Sequence, residues 1–236
     1  MHRLLRPFVD LKRIFFPDTC RHCGTLLVGD ERWLCTDCMG GIAWLDGSVA
    51  ETKGDNNVEE RLAGLVPLVR GAALMVFRKG SVVQSIVHEI KYYHNTTMAK
   101  QFGRLLGEML RDTGRYKDID LIVPVPLHWY KQMKRGYNQS HFLCEGISQA
   151  LQKPVERRNL YRRKYTESQT HKNWTERQNN MQGVFAVRHP ERLSGKHLLL
   201  VDDILTTGAT TTACYDALKE IEGLKISVAV LAVVDG

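Results

Sequence analysis

The chain has 236 residues, 43% of them hydrophobic and 25% charged, which is typical of a globular protein with one sizeable core and a small appended module. No apolar run approaches the ~20 residues that a membrane-spanning helix needs, and the basic N-terminus lacks the pattern of a secretory signal. We therefore expect a cytoplasmic protein without a transmembrane segment.

The formal net charge of +7 is concentrated in one stretch of the chain. Residues 128–180 contain 11 Lys and Arg against 4 Glu, while the rest of the chain is balanced. Such a surplus indicates an anionic partner, either a pyrophosphate-bearing small molecule or a nucleic-acid backbone. A solvated basic face is the alternative explanation.

The N-terminal module is predicted to contain a short helix followed by a metal-binding ribbon. Apolar residues recur at helical spacing from Leu4 to Phe15, and we expect this face to pack on the chain's own core. Two Cys-x-x-Cys pairs follow, separated by eleven residues, a spacing that can bring four thiolates to the corners of a tetrahedron around zinc. Two disulfides are the rival interpretation, which a reducing cytoplasm disfavours. The predicted zinc ligands are Cys20, Cys23, Cys35 and Cys38.

The remaining chain is predicted to form an α/β domain with a doubly wound, mainly parallel sheet. Residues 1–45 hold the helix and the ribbon, the polar residues 46–63 are expected to be a linker, and residues 64–236 alternate between apolar and polar segments. Ligands of such sheets bind at the carboxyl ends of the strands. We expect strands at 65–77, 121–126, 184–187, 198–201 and 226–233, and helices at 82–92, 98–113, 139–151 and 209–221.

The most informative segment runs from Leu198 to Thr211. A short aliphatic strand is followed by two acids, then by small hydroxyl residues and a glycine, and then by a helix. The turn and the helix N-terminus form an anion site, while the acids must face another part of the ligand because they repel a bare phosphate. A ribose 5-phosphate satisfies both demands, with its hydroxyls on the acids. The acids are Asp202 and Asp203, and the predicted phosphate-binding residues are Thr206, Thr207, Gly208, Ala209 and Thr210.

This segment resembles the phosphoribosyl pyrophosphate (PRPP) motif of type I phosphoribosyltransferases. In that class of enzymes, the loop after an earlier strand grips the pyrophosphate largely through backbone amides. A structural role for the prolines of that loop in this chain is nearly as good an explanation. The corresponding residues are Val125, Pro126, Leu127 and His128.

Further motifs resemble the ComF family of competence-associated proteins over nearly the whole chain. They are the paired Cys-x-x-Cys, the PRPP motif, Lys91-Tyr92, the run Arg135-Gly136-Tyr137-Asn138-Gln139 and the series Gln169, Arg177 and Asn180. The resemblance implies a PRPP site in which Arg135, Asn138, Gln139, Gln169, Arg177 and Asn180 belong to the basic loops.

The resemblance also implies magnesium bound with PRPP, and transfer of the phosphoribosyl group to an unknown nitrogen acceptor. The alternative is a non-catalytic accessory protein of DNA uptake that binds single-stranded DNA, uses the PRPP site for ligand binding only and has a partner in the competence machinery. Many members of the family carry two zinc ribbons, whereas this chain has one cysteine quartet, with residues 46–63 in the place of the other.

Overall fold

The computed structural model describes residues 17–45, 57–127, 133, 136–163 and 183–235. The predicted N-terminal helix and the predicted site residues His128, Arg135, Gln169, Arg177 and Asn180 lie outside these ranges. The described helices are α1 (Thr36–Gly40), α2 (Asn57–Leu62), α3 (Val82–Tyr92), α4 (Thr96–Asp112), α5 (Gln139–Leu151) and α6 (Ala209–Leu218), and the strands are β1 (Gly71–Phe77), β2 (Leu121–Pro124), β3 (Leu160–Arg162), β4 (Phe185–Val187), β5 (His197–Leu205) and β6 (Lys225–Val234).

The central sheet has four strands in the order β1-β6-β5-β2, and every neighbouring pair is parallel. The long aliphatic runs of β5 and β6 are buried on both faces, as the strands of a parallel sheet must be. The predicted α/β fold class is confirmed. Because all four strands run the same way, their carboxyl ends meet at one edge of the sheet.

Successive residues of β5 point to opposite layers of helices. Leu199 and Val201 belong to the apolar cluster that includes α3, α4, α5 and the cysteine ribbon. Leu198 and Leu200 belong to the cluster that includes α2, α6 and the antiparallel β3–β4 hairpin. This alternation places α3 and α5 over one face of the acidic segment and α2 and α6 near the other.

The α4–α5 contact depends on three glycines. A Cβ at Gly146 would overlap the backbone carbonyl oxygen of Lys100, and a Cβ at Gly103 would overlap that of Leu143. Gly107 lies one turn from Gly103 and touches the backbone of Ile147, so the two helices meet backbone to backbone. This close packing fixes the N-terminal end of α5 above the sheet.

Two segments that precede the central sheet in the chain differ from the sequence prediction. The strand expected at 65–77 begins only at Gly71, because Pro67 has no N–H for a ladder and the chain before it turns back on α2. Residues 57–62, expected as part of the linker, form helix α2. Val58 and Leu62 are four residues apart and share one side of it, and both are 0% exposed.

Within the described ranges, no helix is both long enough and apolar enough to cross a membrane.

Candidate functional site

The two predicted acids lie inside strand β5. The pairing with β6 continues through Asp202, opposite Val230, to Leu205, opposite Val233, so the strand does not end at Val201 as the sequence predicts. Carboxylates are disfavoured within strands, and the partners that compensate for them here come from α3 and α5. Asp203 is 5% exposed, whereas Asp202 is half-buried.

Asp203 is held by a cation and an amide from two different helices. Lys91, in the last turn of α3, places Nζ 2.9 Å from Asp203 Oδ1. Gln139, the first residue of α5, donates from Nε2 to Asp203 Oδ2. Both carboxylate oxygens therefore have a partner, which allows the charge to remain buried.

Asp202 has weaker compensation. Its Oδ1 accepts the backbone N–H of Asp203 at 2.8 Å and faces the Ser140 hydroxyl at 3.4 Å. Burial, together with the negative charge of Asp203, raises the pKa of Asp202 to about 7. A carboxyl with this pKa exchanges a proton near neutral pH.

The predicted phosphate turn follows β5 directly. Thr206, Thr207 and Ala209 are exposed. Gly208 has φ +81°, and a Cβ there would lie 2.6 Å from Leu62 Cδ2, so only glycine fits. The N-cap residue of α6 is Gly208, which has no side chain, and the Ala209 N–H has only a long contact of 3.5 Å to Thr207 Oγ1, so within the described structure the first N–H groups of the helix face the exposed turn with weak compensation. This arrangement suits an anion.

An arginine from α2 fixes the shape of this turn. Arg61 donates from Nη1 to the carbonyl oxygen of Thr206 at 2.7 Å and from Nη2 to that of Val234 at 2.8 Å. The fork thus ties the phosphate turn to the end of β6. Both carbonyl oxygens are thereby satisfied by a cation.

The loop after β2 lies beside the acids because one side chain holds it there. The Val125 N–H donates to the carbonyl of Val201 at 2.8 Å, which continues the ladder past β2. Asn138 donates from Nδ2 to the carbonyl oxygen of Val125 at 2.9 Å, and its Oδ1 accepts the Ser140 N–H and so caps α5. Pro126 and Leu127 remain partly exposed.

The structure therefore brings together the predicted acids, the phosphate turn and the described part of the loop. Asn138 and Gln139 are buried and act by positioning that loop and Asp203. Sequence reasoning missed Arg61 and Ser140 and gave no role to Lys91. A lysine in the last turn of a helix is common and by itself indicates no special role. Two signals could have identified Lys91: it lies four residues after Val87, which is buried, and it belongs to the Lys91-Tyr92 motif.

The four predicted metal-binding cysteines converge on one point. Their Sγ atoms all lie within 4.8 Å of one another, and Cys23 and Cys35 are 3.7 Å apart at sulfur. Burial raises the pKa of the Cys20 thiol, but nearby backbone N–H groups outweigh it and lower that pKa to about 6. His22, inside the first knuckle, contacts Ser85 of α3 at 3.0 Å rather than the cluster. The donor set is compatible with a closed, structural zinc site.

A model of the phosphoribosyl transferase domain family matches residues 145–235, from within α5 to the end of β6. The match includes the acidic pair and the phosphate turn. Together with the parallel central sheet, it defines a protein of the type I phosphoribosyltransferase fold, with a cysteine cluster at its N-terminal side.

Three curated relatives narrow this class to a family. The chain is 31% identical over 128 residues to the DNA utilization protein YhgH of Salmonella typhimurium (53% of this chain, 56% of that one). It is 28% identical over 140 residues to competence protein F of Haemophilus influenzae (58% and 61%) and 33% identical over 90 residues to competence protein ComFC of Bacillus subtilis (38% and 34%). It thus spans little more than half the length of the first relatives it matches. With the domain match and the cysteine cluster, these relatives fit a ComF family protein.

Proposed function

We propose that this protein binds PRPP at the carboxyl edge of β5 and transfers its phosphoribosyl group to a nitrogen acceptor. The observation that carries this proposal is the arrangement of groups at that edge. Asp203 is buried and Asp202 is half-buried, and both adjoin an exposed turn and a helix N-terminus whose N-cap residue is a glycine. The 5-phosphate would lie on Thr206–Thr210 and the ribose hydroxyls on the acids.

Each group of the site has a part in such a transfer. The acceptor nitrogen forms a bond to C1 of the ribose while the C1–O bond breaks, and the electron pair leaves with pyrophosphate. Positive charge develops on the ribose in the transition state of this transfer, and the half-buried Asp202 carboxylate would stabilise it. Asn138 would hold the loop at Val125–Leu127 for the pyrophosphate.

Magnesium is the metal expected with PRPP, and the donors at this edge fit it. Mg²⁺ prefers substrate phosphate oxygens together with one or two carboxylates and water. Asp202 offers a carboxylate that carries no cation partner from the described residues, unlike Asp203. The ion would neutralise the charge of the pyrophosphate, and we assign Asp202 as its carboxylate ligand from the protein.

The test is PRPP binding to Asp202→Asn/Asp203→Asn, measured by calorimetry with magnesium. Both amides keep the shape of the carboxyls, but the contacts to the ribose hydroxyls lose their charge assistance, so affinity should fall by about tenfold or more. Asp30→Asn/Asp112→Asn removes the same charge from two exposed positions and should bind like the wild type. Unchanged affinity in the site variant would refute the PRPP assignment.

Once PRPP binding is established, a second experiment identifies the acceptor. The loss of PRPP is followed by mass spectrometry in the presence of candidate bases and amines.

The names of the relatives support a biological role in the uptake or use of DNA during competence. We propose that role for this chain, and with it a second candidate function, binding of single-stranded DNA. The observation that favours it is the confinement of the whole formal charge surplus to residues 128–180. Aromatic residues are interleaved there and can stack on bases.

Single-strand binding has a distinctive salt dependence. Each neutralised phosphate releases counterions, so the affinity for a single-stranded oligonucleotide of arbitrary sequence should fall steeply as the salt concentration rises. Replacing Arg162, Arg163 and Lys164 with Gln should reduce that salt slope, whereas Trp174→Ala should lower the affinity and leave the slope nearly intact. Absence of binding at low salt would rule out single-stranded DNA binding and leave phosphoribosyl transfer as the one candidate function.

A further inference from the structure

A cleft of about 580 Å³ opens beside the PRPP site, on the outer side of edge strand β2. Pro126 and Leu127, of the loop proposed to bind pyrophosphate, form one wall, and Asn138 lies next to them. The opposite wall is the β3–β4 hairpin with the segments that enter and leave it. The cleft adjoins the PRPP site through Pro126, Leu127 and Asn138, but neither acid and none of the residues of the phosphate turn line it.

The cleft has a strong excess of positive charge. Five arginines line it, and Glu156 is the single carboxylate among its lining residues in the described structure. Glu156 is already engaged, since its Oε1 accepts the N–H groups of Arg158 and Asn159 at 2.8 and 3.1 Å. The five arginines are Arg157, Arg158, Arg162, Arg188 and Arg192.

Four of these five arginines have no carboxylate partner in the part of the chain that the structure describes. Arg157 pairs with Glu145 at 2.7 Å, and no ion pair is recorded for the others. Most of these side chains are exposed, so water and salt weaken their mutual repulsion, but the cleft keeps a positive potential that the described carboxylates do not neutralise. An anion in the cleft would neutralise that potential.

Aromatic rings hold two of the guanidinium groups in place. The Arg188 guanidinium lies 4.6 Å from the centre of the Tyr161 ring, and that of Arg162 lies 5.3 Å from the centre of the Phe185 ring. A ring face orients a guanidinium without using its N–H donors, which remain free for an oxyanion. Asn159 fixes the floor by a double hydrogen bond with the backbone of His189 at 2.8 and 2.9 Å.

We propose that this cleft binds the phosphate of a free nucleotide, as a site that adjoins the PRPP site and is distinct from its acids and phosphate turn. Its volume lies within the range of about 300–1,000 Å³ typical of small-molecule pockets. The two N–H groups of a guanidinium fork match the spacing of two phosphate oxygens, so an arginine in the cleft could bind a phosphate group in a bidentate manner. A nucleic-acid strand needs an extended track of charge and stacking rings, whereas the described arginines converge on one cavity. The proposal goes beyond the transferase function, because neither Asp202 nor Asp203 takes part.

The experiment measures AMP and inorganic phosphate binding by calorimetry, with the full chain and without PRPP. Both probes should bind, AMP more tightly. Arg188→Ala/Arg192→Ala should weaken AMP binding by about tenfold or more per arginine, since each loses a charge-assisted hydrogen bond. Arg158→Gln is the second variant, because its exposed side chain packs on no recorded ring and its loss should leave the fold unchanged. Arg32→Ala, an exposed arginine of the cysteine ribbon, is the matched control and should bind like the wild type.

Three results with these probes would overturn the proposal, and a fourth comes from the acid variant described next. The three are no binding of either probe, equal weakening by Arg32→Ala, and binding of an oligonucleotide without terminal phosphates but not of AMP, which would indicate a strand-binding surface. Asp202→Asn/Asp203→Asn separates this proposal from the transferase function. That variant should keep its AMP affinity although it loses PRPP, and loss of both would place AMP in the PRPP site and refute a separate cleft.

Discussion

Asp202 and Asp203 are adjacent in sequence but have different environments. Asp203 is buried against Lys91 and Gln139, and both of its oxygens have partners. Among the described residues, Asp202 has a backbone N–H and a distant hydroxyl as its partners, and its pKa is raised to about 7 because burial and the charge of Asp203 disfavour its ionised form. Asp203 is thus held more tightly by the surrounding helices, and Asp202 has the less engaged oxygens of the two.

Replacing Lys91 with Met tests this difference at the residue scale. The change leaves Asp203 buried without its cation and should lower the free energy of unfolding by about 3–5 kcal/mol. Asp203→Asn in the same background should recover much of the loss, because an amide needs no counter-charge. Urea denaturation of the single and double variants measures both effects. The control is Lys219→Met, whose ion pair with Asp216 is largely exposed and should contribute about 0–1 kcal/mol. A loss in Lys91→Met no larger than that of the control would contradict the tighter hold on Asp203.

At the scale of elements, the position of α5 depends on its contact with α4. Gly103 and Gly107 on α4 and Gly146 on α5 let the two backbones touch, and the N-terminal end of α5 carries Asn138, Gln139 and Ser140 to the site. A change in this contact would therefore move three side chains that contact the loop or the acids.

Gly146→Ala should destabilise the protein although alanine favours helices. The new Cβ would meet the backbone of Lys100 and Arg104, which cannot move without displacing α4. Overpacking of this kind costs about 1–3 kcal/mol, more than the ~1 kcal/mol that Gly→Ala gains in a helix. Thermal unfolding followed by circular dichroism measures the change. Gly40→Ala, at the end of α1 with no atom within 4 Å of its Cβ position, should be neutral or slightly stabilising. Equal stability of the two variants would show that the helices separate easily.

The cysteine ribbon is the other element with a measurable dependence. Four convergent thiolates predict about one zinc per chain, which elemental analysis would find. Because Cys20, Cys35 and Cys38 are buried in the cluster that contains α3, removal of the metal by a chelator should lower the melting temperature of the whole chain. A metal-free protein with four independently reactive thiols would contradict the zinc assignment, and Cys214→Ser serves as a thiol control outside the cluster.

The sequence predicted the elements better than the contacts between them. Hydrophobic periodicity predicted α3 and α5 with their observed bounds, and the acidic pair stood out because two carboxylates follow an aliphatic run. The extension of β5 through those acids was not predictable, since it depends on Lys91 and Gln139, which lie 112 and 64 residues away in the chain. Arg61 was hidden in a polar segment whose two buried residues are too few to indicate a packed helix.

At the scale of the whole molecule, a hydrogen-bond network that runs from the surface to buried His197 and Ser227 joins the strands at the amino edge of the sheet. His197 of β5 contacts Asp118 through Nδ1 at 3.1 Å and Ser227 of β6 through Nε2 at 2.9 Å, and Asp118 also pairs with Arg70 before β1. The order acid, imidazole, hydroxyl is that of a hydrolytic triad, but Ser227 is 0% exposed and no substrate reaches it. The network is a structural link between strands.

This network predicts how stability depends on pH. Burial lowers the pKa of His197 in spite of the opposing effect of Asp118, so the unfolded chain binds this proton more readily than the folded one. The contribution of neutral His197 is therefore complete above about pH 6.5 and is lost as the pH falls towards its folded pKa. The raised pKa of Asp202 acts in the opposite direction over the same range, so the comparison must be made between variants.

The variant that isolates this effect is His197→Gln. Its free energy of unfolding, from urea titrations at pH 7.5 and pH 5.5, should fall less between the two values than that of the wild type. His189→Gln removes an exposed histidine and should keep the wild-type dependence. Parallel curves for the wild type and His197→Gln would rule out the network as the acid-sensitive element.

The contacts of α2 bear on how the two parts of this chain can be exchanged during evolution or engineering. Leu62 fills the space beside Gly208, and Arg61 holds the Thr206 carbonyl, so six residues upstream of the transferase-like domain shape its phosphate turn. A fusion or recombination joint placed at residue 64 would deliver the α/β domain without this support. A joint within residues 46–56, before α2, would keep the turn and its brace together, but it would still cut the module from β1, whose Leu74 and Val76 form backbone hydrogen bonds with Leu45 and Ala43.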